Sequence, residues 1–399
     1  MSTPNTFTFN SDAVAAAKGI AILLMVMVHA GSPHYTGQYI SMFHMPLFFI
    51  MSGYCFKAKY LQDARTFALK RVRGIWWPYV KWTLFFLVLH NVLFRLNIYN
   101  DVFGYRGEVS HLYGWREWGV KFIKTFYFGT GEQLLGGYWF LKELFWASLI
   151  GYALLRIYEK MKGRSLTKIM LIGGGILTLL LFFAHMGKDF HVPMLGISAR
   201  TWMATFFYLF GRLWRRMEEG GTWVSRYDAQ PWWLQGLIAL VLAMMVEVVI
   251  LLFGSTSMLS FTTRNALPYM LAALCGTMMV VYVSRWLVRR ASLLRTFLVY
   301  TGRHTFEVLT WHFSCFKLVS LLLILLYRLP VEYLAWFPVI STEALRGAGI
   351  PFSWTLWWWV YLLVGAGIPL LWEKRREKRE ESRICIAEGQ IKRREKREK

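Results

Sequence analysis

The chain has 399 residues, of which 56% are hydrophobic, 18% aromatic and only 17% charged. A soluble domain carries about 25% charged residues, so a soluble globular fold is excluded, as are collagen-like, disordered and disulfide-scaffold chains. The net charge of +23 would point to nucleic acid in a soluble protein. Here the basic residues stand in short blocks between apolar runs of about 20 residues, so the charge reports membrane topology and no nucleic-acid partner is expected.

The apolar runs predict an all-α, polytopic transmembrane bundle of about ten helices, because lipid offers no partners for open backbone groups. The predicted spans are 14–31, 40–56, 75–96, 137–155, 169–184, 197–211, 233–253, 265–284, 304–327 and 354–372. With the N-terminus inside, the inner segments hold 32 of the 46 Lys and Arg residues and the outer ones ten. This bias predicts an even number of spans and both termini in the cytoplasm, in a multi-pass protein of the inner (plasma) membrane. No cleavable signal is expected, since residues 1–13 lack a basic n-region. Residues 1–372 form the predicted membrane domain. Residues 373–399 form a basic tail along the anionic inner leaflet, solvated, with a helix among its readings. No internal repeat is seen, so the inverted-repeat transporter signature is missing. The four cysteines, Cys55, Cys275, Cys315 and Cys385, form no CxxC pair, and neither a disulfide nor a metal site is expected.

The first span reads AVAAAKGIAILLMVMVHAG. Lys18 and His29 are eleven residues apart, about 20° past three full turns, so they share one face and stand about 16 Å apart along the axis. Ionisable groups inside a span are functional candidates because burying charge in lipid is costly. The competing readings are a snorkelling Lys18 and a hydrogen-bonded interior His29.

The second span, ISMFHMPLFFIMSGYCF, carries His44 near its outer end, where it is expected to be wet, and Ser52 and Gly53 deeper. Gly53 permits close helix packing. The inner segment KRVRGIWWPY follows, with Lys70, Arg71 and Arg73 before Trp76, Trp77 and Pro78. It reads as positive-inside anchoring or as a clamp for phosphates, which Arg suits. The outer connection 97–136 mixes aromatic and charged residues, as an aromatic belt with an amphipathic or reentrant helix would, or as a surface on which sugars stack.

The fourth span opens GGYWFLKELFW, where adjacent Lys142 and Glu143 are expected to point apart. In the ninth, GRHTFEVLTWHFSCFK, His304 and Glu307 are placed to pair and His312 falls at mid-membrane. Glu247 in the seventh stands isolated.

Taken in order, these segments resemble the acyltransferase 3 family of integral membrane acyltransferases. Lys18 through His29 resembles its first-helix motif, a basic residue and then a His. Phe43 to Tyr54 (FHMPLFFIMSGY) resembles the second-helix segment as found in sugar O-acetylases of the fucose 4-O-acetylase type. RGIWWPY, YWFLKELF, FFYLFGRLWRR and TGRHTFEVLTWHF resemble later motifs, and the likeness covers most of residues 12–326. Lys18 stands where much of the family has Arg, and Lys142 where Pro is frequent.

The resemblance implies transfer of an acyl group, usually acetyl, from cytoplasmic acyl-CoA to a hydroxyl of a cell-envelope glycan or lipid-linked sugar, without a metal. His29 is then the general base, or a nucleophile forming an acyl-histidine. Lys18 faces the CoA phosphates or the thioester oxygen, and His312 orients or deprotonates a second group. Arg71, Arg73 and Ser52 are assigned to CoA, and His44, Trp139 and Glu143 to the acceptor. A transporter of a glycan or small solute is the alternative, since it too would carry intramembrane His, Lys and Glu.

Overall fold

The computed structural model describes residues 10–103, 111–161, 195–219, 227–262, 264–290, 292–350 and 353–395. The predicted span 169–184 lies outside them. Among the described residues the regular structure is helical and no extended strand occurs.

The helices in chain order are α1 (Ser11–His29), α2 (His34–Ser41), α3 (His44–Tyr54), α4 (Ala64–Arg71), α5 (Trp77–Arg95), α6 (Trp115–Thr125) and α7 (Trp139–Met161). They continue with α8 (Ala199–Glu219), α9 (Trp232–Phe253), α10 (Ala266–Val288), α11 (Leu293–Arg303), α12 (Thr305–Tyr327), α13 (Thr342–Gly347) and α14 (Ser353–Glu395). Four of them, α1, α9, α10 and α12, are long and apolar enough to cross a membrane. On α9 the side chains of Leu237, Leu240, Val241, Met244, Val248 and Leu251 are exposed, an apolar face that suits lipid and not water.

Local signals explain several boundaries. Asn10 caps α1 through a 2.9 Å bond from the Ala13 amide to its side chain. Asp12 in the first turn accepts from Arg303 at 2.8 Å and Arg295 at 3.2 Å, tying α1 to α11. Between α4 and α5 the chain widens into a π turn at Val72–Trp76. α14 runs without a break from its apolar half into the charged tail as far as Glu395, which selects the helical reading of that tail.

Glycines set two close helix crossings. A Cβ on Gly19 of α1 would stand 2.2 Å from the Leu298 carbonyl of α11, and one on Gly302 would stand 1.6 Å from the Ala15 carbonyl. Across α3 and α8, Gly53 and Gly211 stand in the same relation to Tyr208 and Ile50, with distances of 1.8 and 1.9 Å. Small residues let apolar helices approach backbone to backbone, where dispersion and not hydrophobicity supplies the attraction. These two pairs hold α1 and α3 in the centre of the bundle.

Several sequence expectations are corrected. The second predicted span, 40–56, is broken at Met42–Phe43 into α2 and an eleven-residue α3. His44 is buried rather than wet, with its Nδ1 bonded to the Ile40 carbonyl at 2.8 Å. Lys142 and Glu143 do not point apart: the flexible Lys142 stem brings Nζ to 3.4 Å from Glu143 Oε1. His304 pairs with Glu377 (3.3 Å) and Glu373 (3.9 Å) of α14 instead of Glu307. Glu247 is not isolated, since it accepts a hydrogen bond from Tyr35 of α2.

Candidate active site: two cavities facing one histidine pair

The first helix presents its polar stripe inward. Lys18 lines a cavity of about 410 Å3 and His29 lines another of about 520 Å3, and no residue is shared between the two linings. The Lys18 cavity reaches Met25 on α1 and Leu309 on α12. One turn further along the same helices stand His29 and His312. The two cavities therefore approach the same point from opposite ends of α1.

The histidines are in contact. His29 Nδ1 lies 3.1 Å from His312 Nε2, and the rings are 5.3 Å apart between centroids with planes 12° apart. Phe313 packs against both rings, with centroids 4.9 Å from His29 and 3.9 Å from His312. His312 is fully buried, and its Nδ1 lies 2.9 Å from the Val308 carbonyl and 3.0 Å from that of Leu309. Carbonyl oxygens only accept, so His312 Nδ1 carries a hydrogen and the neutral ring keeps its lone pair at Nε2. That lone pair takes the hydrogen of His29 Nδ1. His29 Nε2 is then left bare, as a lone pair able to receive a proton or attack a carbonyl. Gly137 lies beside the pair: a Cβ there would stand 2.9 Å from the Leu309 side chain and 4.0 Å from the His312 ring.

The Lys18 cavity gathers cations. Lys18, Lys70 and Arg71 line it together with Ser52, Cys55, Tyr60, Phe67 and Phe306. Lys70 donates to the Tyr60 hydroxyl at 2.9 Å, and that hydrogen bond, aided by the ammonium charge, holds the phenol below its ordinary range. The Arg71 guanidinium lies 4.9 Å from the Phe67 ring. Its Nε is buried without an acceptor. Lys18 makes no hydrogen bond or ion pair among the described residues, although it is largely enclosed. Enclosed cations without carboxylates form a site for an anion.

The His29 cavity is lined differently. The rings of Trp336, Phe337, Trp357, Trp358 and Tyr361 stand beside the hydroxyls of Ser32, Ser341 and Thr342. The Ser32 hydroxyl is buried with no partner. Part of this wall is the loop after α12, which the buried Lys317 holds by donating to the Leu334 carbonyl at 2.9 Å and the Trp336 carbonyl at 2.7 Å.

Of the residues singled out in the sequence, the structure brings Lys18, Ser52 and Arg71 to one cavity, and His29 to the other with His312 behind it. Arg73 is exposed and lines neither. His44, Trp139 and Glu143 also line neither cavity; Glu143 is buried, and its Oε2 accepts from the Thr201 hydroxyl at 2.5 Å. Sequence reasoning passed over Cys55 and Tyr60, and it assigned no role to the 336–342 loop or to the Trp357–Tyr361 stretch. Cys55 had a usable signal, since it lies three residues after Ser52, at the C-cap of the same short helix. The loop had none, because nothing local marks which loop covers a cavity.

Comparison with curated proteins and with solved structures finds no match. The family described as an acyltransferase domain, acyltransferase 3, matches residues 12–373, from the first turn of α1 to the point where α14 becomes charged. This favours acyl transfer over the transporter alternative. The chain belongs to the acyltransferase 3 family of membrane acyltransferases.

Proposed function

We propose that the protein moves an acyl group, acetyl, from acyl-CoA bound in the Lys18 cavity to a hydroxyl of an envelope glycan or lipid-linked sugar bound in the His29 cavity. The observation that carries this reading is the division of labour on α1: an unpaired cation in one cavity, and a bare imidazole nitrogen at the inner end of the other. The positive-inside bias places the Lys18 end at the cytoplasm, where acyl-CoA is available, in the plasma membrane. Lys18, Lys70 and Arg71 then receive the phosphates, which are recognised best by charged donors. The rings of the His29 cavity offer stacking faces to a sugar and Ser32 offers a hydrogen bond, a combination suited to one apolar and one polar face.

In the reaction the acceptor hydroxyl gives its proton to His29 Nε2 as its oxygen attacks the thioester carbonyl. The tetrahedral intermediate collapses by breaking the carbon–sulfur bond, and the imidazolium returns the proton to the departing CoA thiolate. His312 supports the proton gain, since its Nε2 lone pair faces the hydrogen on His29 Nδ1. In the variant route the His29 nitrogen attacks first and the acceptor takes the acyl group from it.

The test has two parts. Reconstituted protein with labelled acetyl-CoA and surface glycan should yield acetylated glycan, and folded His29→Ala should not. Separately, acetyl-CoA should shield Cys55 from maleimide. Acetylation that persists in folded His29→Ala eliminates the base assignment, and Cys55 labelling that ignores acetyl-CoA removes the donor site.

A further inference from the structure

A third cavity, of about 590 Å3, opens between α5, α12 and α14 and takes no part in the reaction above. It shares the Phe306 side chain with the Lys18 cavity and so lies back to back with it, at the same end of the bundle. Its walls carry Trp77, Trp82, Trp311 and Trp372, of which Trp82 and Trp311 meet edge to face with centroids 4.9 Å apart. Tryptophan is enriched in the headgroup zone, where a ring can keep one edge wet.

The charges in the groove are balanced. Lys81 and Arg376 supply two cations, and Glu307 and Glu373 supply two carboxylates. Arg376 is bound to Glu373 at 2.5 Å. Lys81 and Glu307 are left over: neither forms a hydrogen bond or an ion pair among the described residues, and Lys81 only lies 4.7 Å from the Trp82 ring centroid. Glu373 is buried, its Oε2 has no donor, and Glu307 lies within electrostatic reach of it. The groove thus has a free ammonium on its α5 side and an under-satisfied carboxylate pair on its α12 and α14 sides.

We infer that this groove binds the headgroup of an ethanolamine phospholipid, with Lys81 on the phosphate and Glu307, backed by Glu373, on the ammonium. A primary ammonium brings three N–H donors to carboxylates that lack them. A choline headgroup has the same charges but no donor. A glycerol headgroup would leave a net negative lipid beside two carboxylates. The tryptophan walls then flank the glycerol and the first carbons of the chains. The groove therefore discriminates by hydrogen bonding as well as by charge.

The test is lipid retention by the full-length protein purified in detergent. It would be incubated with phosphatidylethanolamine, phosphatidylcholine and phosphatidylglycerol of identical chains and read by native mass spectrometry. Several-fold preferential retention of phosphatidylethanolamine is expected, with the preference lost in Lys81→Ala and in Glu307→Gln. Both side chains are unpaired in the fold, so both variants should fold. Equal retention of the ethanolamine and choline lipids, a preference for phosphatidylglycerol, or a preference unchanged in both variants would each overturn the assignment. So would a Mn2+- or Zn2+-dependent rise in melting temperature, lost in His304→Ala, that abolishes lipid retention. It would mean that the His304, Glu373 and Glu377 group, whose ligand atoms lie within 4.8 Å of one another, takes a metal and not an amine.

Discussion

The histidine pair makes a prediction that a lone catalytic histidine does not. His312→Phe keeps an aromatic ring among Phe313 and Phe316 but removes the Nε2 acceptor that His29 Nδ1 faces at 3.1 Å. A hydrogen bond of this kind contributes about 0.5–1.5 kcal/mol, which is about a two- to tenfold loss of kcat. Removing the base itself is larger: general-base catalysis supplies about 10²–10⁴ in rate, or roughly 3–5 kcal/mol. The two effects are not independent, because His312 acts only through His29. In the double variant His29→Ala, His312→Phe, the second substitution should therefore change nothing, giving a coupling energy equal to the whole single-variant effect of His312→Phe. The assay is initial-rate acetyl transfer at saturating donor, with melting temperature recorded for each variant. If His312→Phe slows the His29→Ala background as much as it slows the wild type, then His312 does not act through His29 and the tautomer assignment is wrong.

Other consequences follow from the same geometry. Lys18→Met should raise the KM for acyl-CoA about ten- to hundredfold with a smaller change in kcat, since a charge-assisted hydrogen bond contributes about 1.5–3 kcal/mol, and Lys18→Arg should restore most of it; an unchanged donor KM would remove Lys18 from the donor site. Lys317→Met leaves the Leu334 and Trp336 carbonyls without their donor, at a cost of about 1–3 kcal/mol each. It should raise the acceptor KM while sparing the donor KM, and equal effects on both would show that the loop is not an acceptor wall. Gly302→Ala forces a Cβ to 1.6 Å from the Ala15 carbonyl and should destabilise by at least the roughly 1–3 kcal/mol of an overpacked core. Gly236→Ala on the open face of α9, where nothing lies within 4 Å, should stabilise by about 0.8–1 kcal/mol through helix propensity. Thermal denaturation in detergent reads both signs, and a neutral Gly302→Ala would refute the close crossing of α1 and α11.

What the sequence disclosed depended on how far apart along the chain the interacting groups lie. The α1 stripe was legible because Lys18 and His29 are related by helical periodicity alone, and the structure places both in cavities. The packing role of Gly53 was legible for the same reason: a small residue in an apolar helix has few other uses. By contrast, His29 and His312 are separated by 283 positions. Their contact depends on the α1, α11 and α12 arrangement that Gly19 and Gly302 permit, and no local pattern encodes it. Short-range rules also failed where a long side chain could bend. The 100° step between Lys142 and Glu143 is correct for the Cα–Cβ vectors, yet the lysine stem closes the gap to 3.4 Å. His304 chose α14 over its own helix, because Glu373 and Glu377 stand one turn apart on the facing helix, with Glu377 Oε1 3.3 Å from its Nε2 and Glu373 Oε1 3.9 Å from its Nδ1.

The acceptor residues were the least legible, and the reason is physical. A donor site needs cations, which are conspicuous in an apolar chain, and Arg71 stood out for that reason. An acceptor site needs rings and hydroxyls, and rings make up 18% of this chain, so Trp336 and Trp358 have no contrast against the background. The resemblance assigned His44, Trp139 and Glu143 to the acceptor, whereas the cavity that reaches His29 is walled by a loop and by the start of α14. In a protein this aromatic, a polar residue inside the bundle more often satisfies its neighbours, as Glu143 does with Thr201, than a substrate. The more discriminating mark is a polar group left unsatisfied next to open space, and Lys18, Arg71 Nε and Ser32 Oγ are three such groups on the two cavities.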